Sequence, residues 1–172
     1  FLVFLFFTTM LWSQTEIGGI NYTFNGTEAT VVSKTGCYSG DIDVPSTVNH
    51  GGTTYNVTNI GASAFFNCSN LTSITLPNSL TSIWTSAFSN CSNLTSITLP
   101  DSLTTLGRNA FSSCSSLISI TLPDSLTTIG NSAFFDCSNL ISITLPDSLT
   151  TIGDSAFSKC SALKRTAIVE PE

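Results

Sequence analysis

The sequence predicts a solenoid: short coils stacked around one continuous apolar core, with a β-rich segment closing the first coil. Three observations predict it. Cysteines recur every 23 residues, at Cys68, Cys91, Cys114, Cys137 and Cys160. Phenylalanines keep the same interval at Phe65, Phe88, Phe111, Phe134 and Phe157, each preceded by Ala. Leucines follow at Leu71, Leu94, Leu117, Leu140 and Leu163. Self-similarity at a period of this length marks a repeat architecture. A 23-residue unit cannot bury its own apolar face, so each coil must lie on the next.

The opening residues, FLVFLFFTTMLW, form an apolar run too short to span a bilayer, which needs about 20 residues. The run suits the apolar region of a secretory signal. The chain starts at Phe1 without Met or a basic flank, so residues 1–14 read as a signal-peptide remnant, cut near Ser13 or Gln14. A buried N-terminal strand is the other reading. No second stretch reaches transmembrane length. Residues 15–58 read as a β-rich N-terminal cap. β-Prone runs at Thr30–Ser33, Asp41–Val44 and Thr53–Thr58 are broken by Gly, Asn and Pro. A solenoid end exposes an unpaired edge and an apolar face, and needs such a cover.

The repeats occupy 59–163 and read I-G-x-S-A-F-x-x-C-S-x-L-x-S-I-T-L-P-D-S-L-T-x, with copies beginning between Ile60 and Ile152. L-T-S-I-T-L-P alternates apolar and hydroxyl residues, the period of a half-buried strand. Pro77, Pro100, Pro123 and Pro146 end each strand, because Pro cannot donate to a ladder. P-D-S is a turn, and L-T-T-I is a second short extended piece. G-x-S-A-F-S-x-C is predicted as one helical or 3₁₀ turn with Phe and Cys inward. Gly61, Gly107, Gly130 and Gly153 suggest a turn where positive φ is convenient. In the tail, 164–172, the copy decays: Thr166 stands where Ile is expected and Val169 where Pro is expected. The chain therefore reads as a short member or a truncated fragment, with a last coil that frays or pairs with another chain.

The pattern C-x-x-L-x-x-I-x-L-P-x-S-L-x-x-I-G-x-x-A-F resembles the BspA-like class of leucine-rich repeats, bacterial and protozoan surface proteins. The resemblance implies a leucine-rich repeat solenoid with parallel strands on its concave face. It implies an elongated array, secreted or on the cell surface, engaged in adhesion or protein binding.

Composition narrows the partner. Net charge is −6 and only 9% of residues are charged. Nucleic acid and anionic membranes both require clustered Lys and Arg, so neither fits. With the strand Leu and Ile inward, Ser73, Thr75, Ser96, Thr98, Ser119, Thr121, Ser142 and Thr144 form an outward face of hydroxyl rows. Beside them the column Thr72, Thr95, Ile118, Ile141 turns apolar, which reads either as a contact patch or as plain β-propensity. Such a surface suits hydrogen bonds to extracellular protein or glycan. A structural spacer in a larger envelope protein is the alternative. Ordering water, as flat Thr arrays do on ice-binding solenoids, is disfavoured by Ser in place of Thr.

No catalytic set emerges. His50 is the single histidine and is assigned to a cap loop. There is no G-x-S-x-G, P-loop or dinucleotide motif, and nothing calls for a cofactor. No CxxC pair argues for a metal. Asp101, Asp124 and Asp147 form a column headed by Asn78, better suited to satisfying their own turns than to holding Ca²⁺. The repeat cysteines read as free, buried thiols. Stacked side chains about 4.8 Å apart point the same way, whereas a disulfide needs converging Cβ atoms. Cys37 lies outside the ladder without an obvious partner, so six free thiols are expected. The sequons at Asn21, Asn25, Asn56, Asn67, Asn70, Asn90 and Asn93 would matter only in a eukaryotic secretory host.

One position breaks the repeat. Where four copies carry Gly, SIWTSAF carries Trp84. The core there is already filled by Ile83, Ala87 and Phe88, so the indole is expected on the surface. Drift at a tolerant turn and a binding anchor are both open readings.

Overall fold

The computed structural model describes residues 14–164 and the backbone of 168–169. The predicted signal remnant therefore lies outside the described residues, except for Gln14. The described residues begin with an antiparallel set: β1 (Thr15–Ile17), β2 (Ile20–Asn25) and β3 (Glu28–Val32). β4 (Gly40–Asp43), β5 (Thr47–His50) and β6 (Thr53–Ile60) follow. β5 and β6 form a hairpin closed by Gly51 and Gly52, both at positive φ (58° and 80°), the geometry that a two-residue turn requires. Each coil then contributes two strands. The first set comprises β7 (Leu71–Thr75), β9 (Ser96–Thr98), β11 (Ser119–Thr121) and β13 (Ser142–Thr144). The second comprises β8 (Ser82–Ile83), β10 (Thr105–Leu106), β12 (Thr128–Ile129) and β14 (Thr151–Ile152).

These strands make two sides of the solenoid. β9, β11, β13 and β15 (Ile168–Val169) pair in parallel, with Ser96, Ser119 and Ser142 in one column and Ile97, Ile120 and Ile143 in another. β7 pairs instead with β4 of the cap. On the other side, β8, β10, β12 and β14 continue through β6, β3 and β2 into one nine-stranded sheet. The cap is thus not a separate body. Its sheet is the solenoid's second sheet carried past the first coil, and one apolar core runs from Ile20 to Cys160.

Inside, the apolar columns stack on themselves. The rings of Phe65, Phe88, Phe111, Phe134 and Phe157 lie parallel within 8°, at 4.9, 5.1, 5.5 and 5.4 Å between successive centroids. The hydroxyls of Ser79, Ser102, Ser125 and Ser148 donate to Val57, Leu80, Leu103 and Leu126 carbonyls of the preceding coil, at 2.6–2.8 Å. This explains the Ser after each P-D or P-N step: a larger or apolar side chain would leave that carbonyl unpaired. Asp101, Asp124 and Asp147 sit exposed at the preceding turn position, where Leu103 N–H, for example, bonds Pro100 O at 3.0 Å.

Five expectations change. The A-F-x-x-C segment is not helical; it is a run of tight turns. Ser63 and Asn67, and their counterparts down the stack as far as Ser155 and Lys159, hold positive φ, which ends any helix. The freed N–H groups bond the next coil instead: Ser63 to Thr85 O, Phe65 to Ala87 O and Asn67 to Ser89 O, at 2.7–3.0 Å.

The column glycines, by contrast, are not at positive φ. They are needed for close approach. A Cβ at Gly107 would fall 2.6 Å from the Trp84 carbonyl carbon, and one at Gly130 would fall 2.6 Å from Arg108 N and Gly107 C. Gly130→Ala should therefore lower stability by about 1–3 kcal/mol, because backbone rather than a flexible side chain must move. A drop in the urea midpoint reads it.

His50 ends a strand rather than sitting in a loop, and its ring stacks on Phe24 at 4.7 Å. At the other end, Ile168 rather than residue 166 pairs with Ile143, so this coil takes two extra residues before regaining register.

The six-thiol expectation is overturned. Cys37 and Cys68 form a disulfide, with Cα atoms 5.5 Å apart. The stacking argument holds inside the ladder, where Cys91, Cys114, Cys137 and Cys160 are free and buried. It fails at the ladder's end. Cys68 has no repeat coil beneath it, and the cap brings Cys37 there. The adjacent Tyr38 finishes the second ladder: its ring packs on Phe65 at 4.6 Å, and its hydroxyl donates to Val32 O at 2.7 Å. One dipeptide closes both columns.

Candidate binding site

The eight predicted hydroxyl residues, Ser73, Thr75, Ser96, Thr98, Ser119, Thr121, Ser142 and Thr144, are all exposed. Between them Ile74, Ile97, Ile120 and Ile143 point into the core. The rows are in register across β9, β11 and β13. The described ladder does not join β7 to β9, so Ser73 and Thr75 belong to a second small sheet with the cap. That sheet adds residues the sequence reading missed: Asp41 lies opposite Ser73 and Asp43 opposite Thr75, both exposed. The face thus begins with a D-x-D row. Thr72 donates to Asp41 Oδ1 at 3.2 Å. At the far end Ile118 and Ile141 are 49% and 53% exposed and adjacent, with Ile141 N–H bonded to Ile118 O at 3.0 Å. Their column follows Thr72 and Thr95, so the face grades from acidic through hydroxyl to apolar.

Trp84 lies elsewhere, just past β8, on the outer side of the nine-stranded sheet. It is 46% exposed. Its N–H bonds Ile60 O at 2.9 Å, as the column glycines bond their preceding coils. Its backbone is not in the left-handed region. The two candidate surfaces are therefore on different sheets.

The buried thiols supply no reactive site. Each donates to a Phe carbonyl of the coil before, Cys91 to Phe65 O at 3.1 Å, Cys114 to Phe88 O at 3.1 Å and Cys137 to Phe111 O at 3.2 Å. Burial pushes Cys91 and Cys137 up from 9.0 to about 12, and raises Cys114 and Cys160 as well. The folded state therefore prefers the protonated thiols. Their contribution is complete below about pH 9 and is lost as pH rises through about 12. Stability should fall above pH 9, by up to about 1.4 kcal/mol per pH unit for each ionising thiol. Urea midpoints across that window read the slope, and a Cys91→Ala, Cys137→Ala chain should show a shallower one.

Coils that each give one strand to two parallel ladders, with stacked Leu, Phe and Cys columns between them, define a leucine-rich repeat solenoid. The chain belongs to the BspA-type leucine-rich repeat family, whose six-copy repeat-region model matches residues 52–170. It is similar to a leucine-rich repeat protein of Bacteroides ovatus, at 35% identity and a TM-score of 0.78, over 87% of this chain and 40% of that one. A Treponema pallidum leucine-rich repeat protein is 30% identical with a TM-score of 0.79, over 88% of this chain and 69% of that one. A leucine-rich cell surface protein of Faecalibacterium prausnitzii is 26% identical with a TM-score of 0.61, over 88% of this chain and 53% of that one. No curated protein matches the chain. Among the described residues no helix is long and apolar enough to cross a membrane.

Proposed function

We propose that the chain is a non-enzymatic binding module, secreted or held at the cell surface, that engages an extracellular protein through its Ser/Thr strand face. The observation that carries this reading is the exposed Ile118–Ile141 pair. Two large aliphatic side chains in one column, at the end of the hydroxyl face away from the Asp41/Asp43 row, form an apolar centre with a polar surround, the arrangement of a contact patch. Thr72 and Thr95 hold the same column in the first coils, so the fold itself does not require Ile there. The Cys37–Cys68 disulfide supports export, because such bonds persist in oxidising compartments. The likeness to a cell surface protein agrees with it.

A pull-down of extracellular-matrix proteins by the intact chain tests the reading, with an Ile118→Thr, Ile141→Thr chain as the comparison. Capture by the native chain and loss in the variant support the strand face. Failure to capture any of them favours a spacer within a larger envelope protein.

A further inference from the structure

We propose that the outer face of the cap sheet carries a second, independent site: a groove beside Trp84 that binds a neutral saccharide. The groove measures about 340 Å³ and is lined by Thr23, Asn25, Glu28, Thr30, Asn59 and Trp84. That volume lies at the lower end of the roughly 300–1,000 Å³ typical of small-ligand pockets.

The lining residues are neighbours across four consecutive strands. Thr23 pairs with Thr30 and Asn25 with Glu28 between β2 and β3. Thr30 pairs with Asn59 of β6, and Asn59 pairs with Ser82 of β8, two residues before Trp84. The floor thus runs across three strand spacings, about 14 Å, enough for a short oligosaccharide laid over the sheet. Sheet residues hold this geometry with little reorganisation on binding.

The chemistry selects the ligand. A pyranose presents an apolar C–H face and a rim of hydroxyls. The indole of Trp84 offers a broad, half-exposed surface for the first. Asn25, Asn59, Thr23 and Thr30 supply both donors and acceptors for the second. The Glu28 carboxylate accepts the stronger, charge-assisted bonds from sugar hydroxyls. Asn59 Nδ2 donates to Thr58 Oγ1 at 2.9 Å. Among the described residues the other polar side chains of the groove have no hydrogen-bond partner, so their capacity is open to a ligand.

The lone ionisable group is acidic, in a chain of net charge −6. Phosphorylated and acidic sugars are therefore repelled. A peptide fits less well. β2, β3 and β6 are already paired on both sides, so no edge is open for strand addition. The repeat itself isolates the feature: the other four coils carry Gly where this one carries Trp.

The test uses the full chain made in a bacterial host that leaves the Asn25-Gly26-Thr27 sequon unmodified. The probes are neutral oligomers of glucose, mannose, galactose and N-acetylglucosamine, on an array and then by titration calorimetry. Trp84→Gly places the consensus residue of the other coils there, so the fold survives, and its unfolding midpoint verifies this. The expected result is binding of at least one oligomer by the native chain, weakened at least about tenfold by Trp84→Gly. Glu28→Gln should weaken it less. The Ile118→Thr, Ile141→Thr chain should bind the oligomer unchanged, which separates this site from the strand face. No binding by any oligomer overturns the proposal, as does binding that Trp84→Gly leaves within about twofold. Trp84-dependent capture of a sugar-free protein, with no oligomer bound, also overturns it and reassigns the groove to protein contact.

Discussion

Phe111→Ala should cost about 3–5 kcal/mol, the largest loss of any single truncation in the array. Phe111 is fully buried, and its ring is sandwiched between Phe88 at 5.1 Å and Phe134 at 5.5 Å. Removing it opens a cavity that neither neighbour can fill, because both are held in their own coils by inter-coil bonds. Phe88 N–H donates to Ala110 O at 2.8 Å, and Phe134 N–H to Ala156 O at 2.8 Å. In a solenoid each coil rests only on its neighbours, so a defect in the middle also uncouples the two halves. Phe157→Ala provides the contrast. Phe157 is only partly buried, and the described stack gives it one ring neighbour, Phe134. It should cost less than half as much. Urea unfolding of the two variants compares them directly; equal losses would contradict the ladder account.

Cys37→Ser should cost roughly 3–4 kcal/mol, the loop-closure contribution of a bond between residues 31 apart. The effect should concentrate at the cap. The disulfide and the Tyr38–Phe65 contact close the two ladders side by side, so losing one loosens the other. Amide exchange should rise first in β3 and β4, with the distal coils protected. Thiol labelling checks the premise: the unfolded, unreduced native chain should take up four equivalents of iodoacetamide, for Cys91, Cys114, Cys137 and Cys160, and the reduced chain six. Six without reduction would remove the disulfide from the account.

The ladders were legible because they are periodic: Phe, Cys and Leu at fixed intervals can only be satisfied by stacking. The strand face followed from the S-I-T alternation, and the second extended piece from L-T-T-I. What periodicity could not show was distance. Gly107 and Gly130 looked like positive-φ residues, yet they are glycines because the preceding coil's backbone lies under 3 Å from where a Cβ would sit. The partner of Cys37 depends on how an aperiodic cap folds back, although an odd cysteine in the cap and a ladder cysteine with nothing beneath it were a usable signal. The turns misled for another reason. Lys159 and Asp136 hold positive φ without being Gly or Asn; at Asp136 the N–H that this turn frees bonds Ser158 O of the next coil at 2.8 Å. Of the candidate surfaces, the hydroxyl rows were readable. The Asp41/Asp43 row and the Trp84 groove were not, because both arise where the cap meets the coils.

The functional account rests on the strand face, and the most direct test is the affinity ratio between the native chain and the Ile118→Thr, Ile141→Thr chain for a captured matrix protein. Thr is already the residue of this column in the earlier coils, so folding should be unaffected. A loss of at least about tenfold, with an unchanged unfolding midpoint, is predicted. Equal affinity for the two chains would contradict it, and would leave the exposed isoleucines as good strand formers and nothing more.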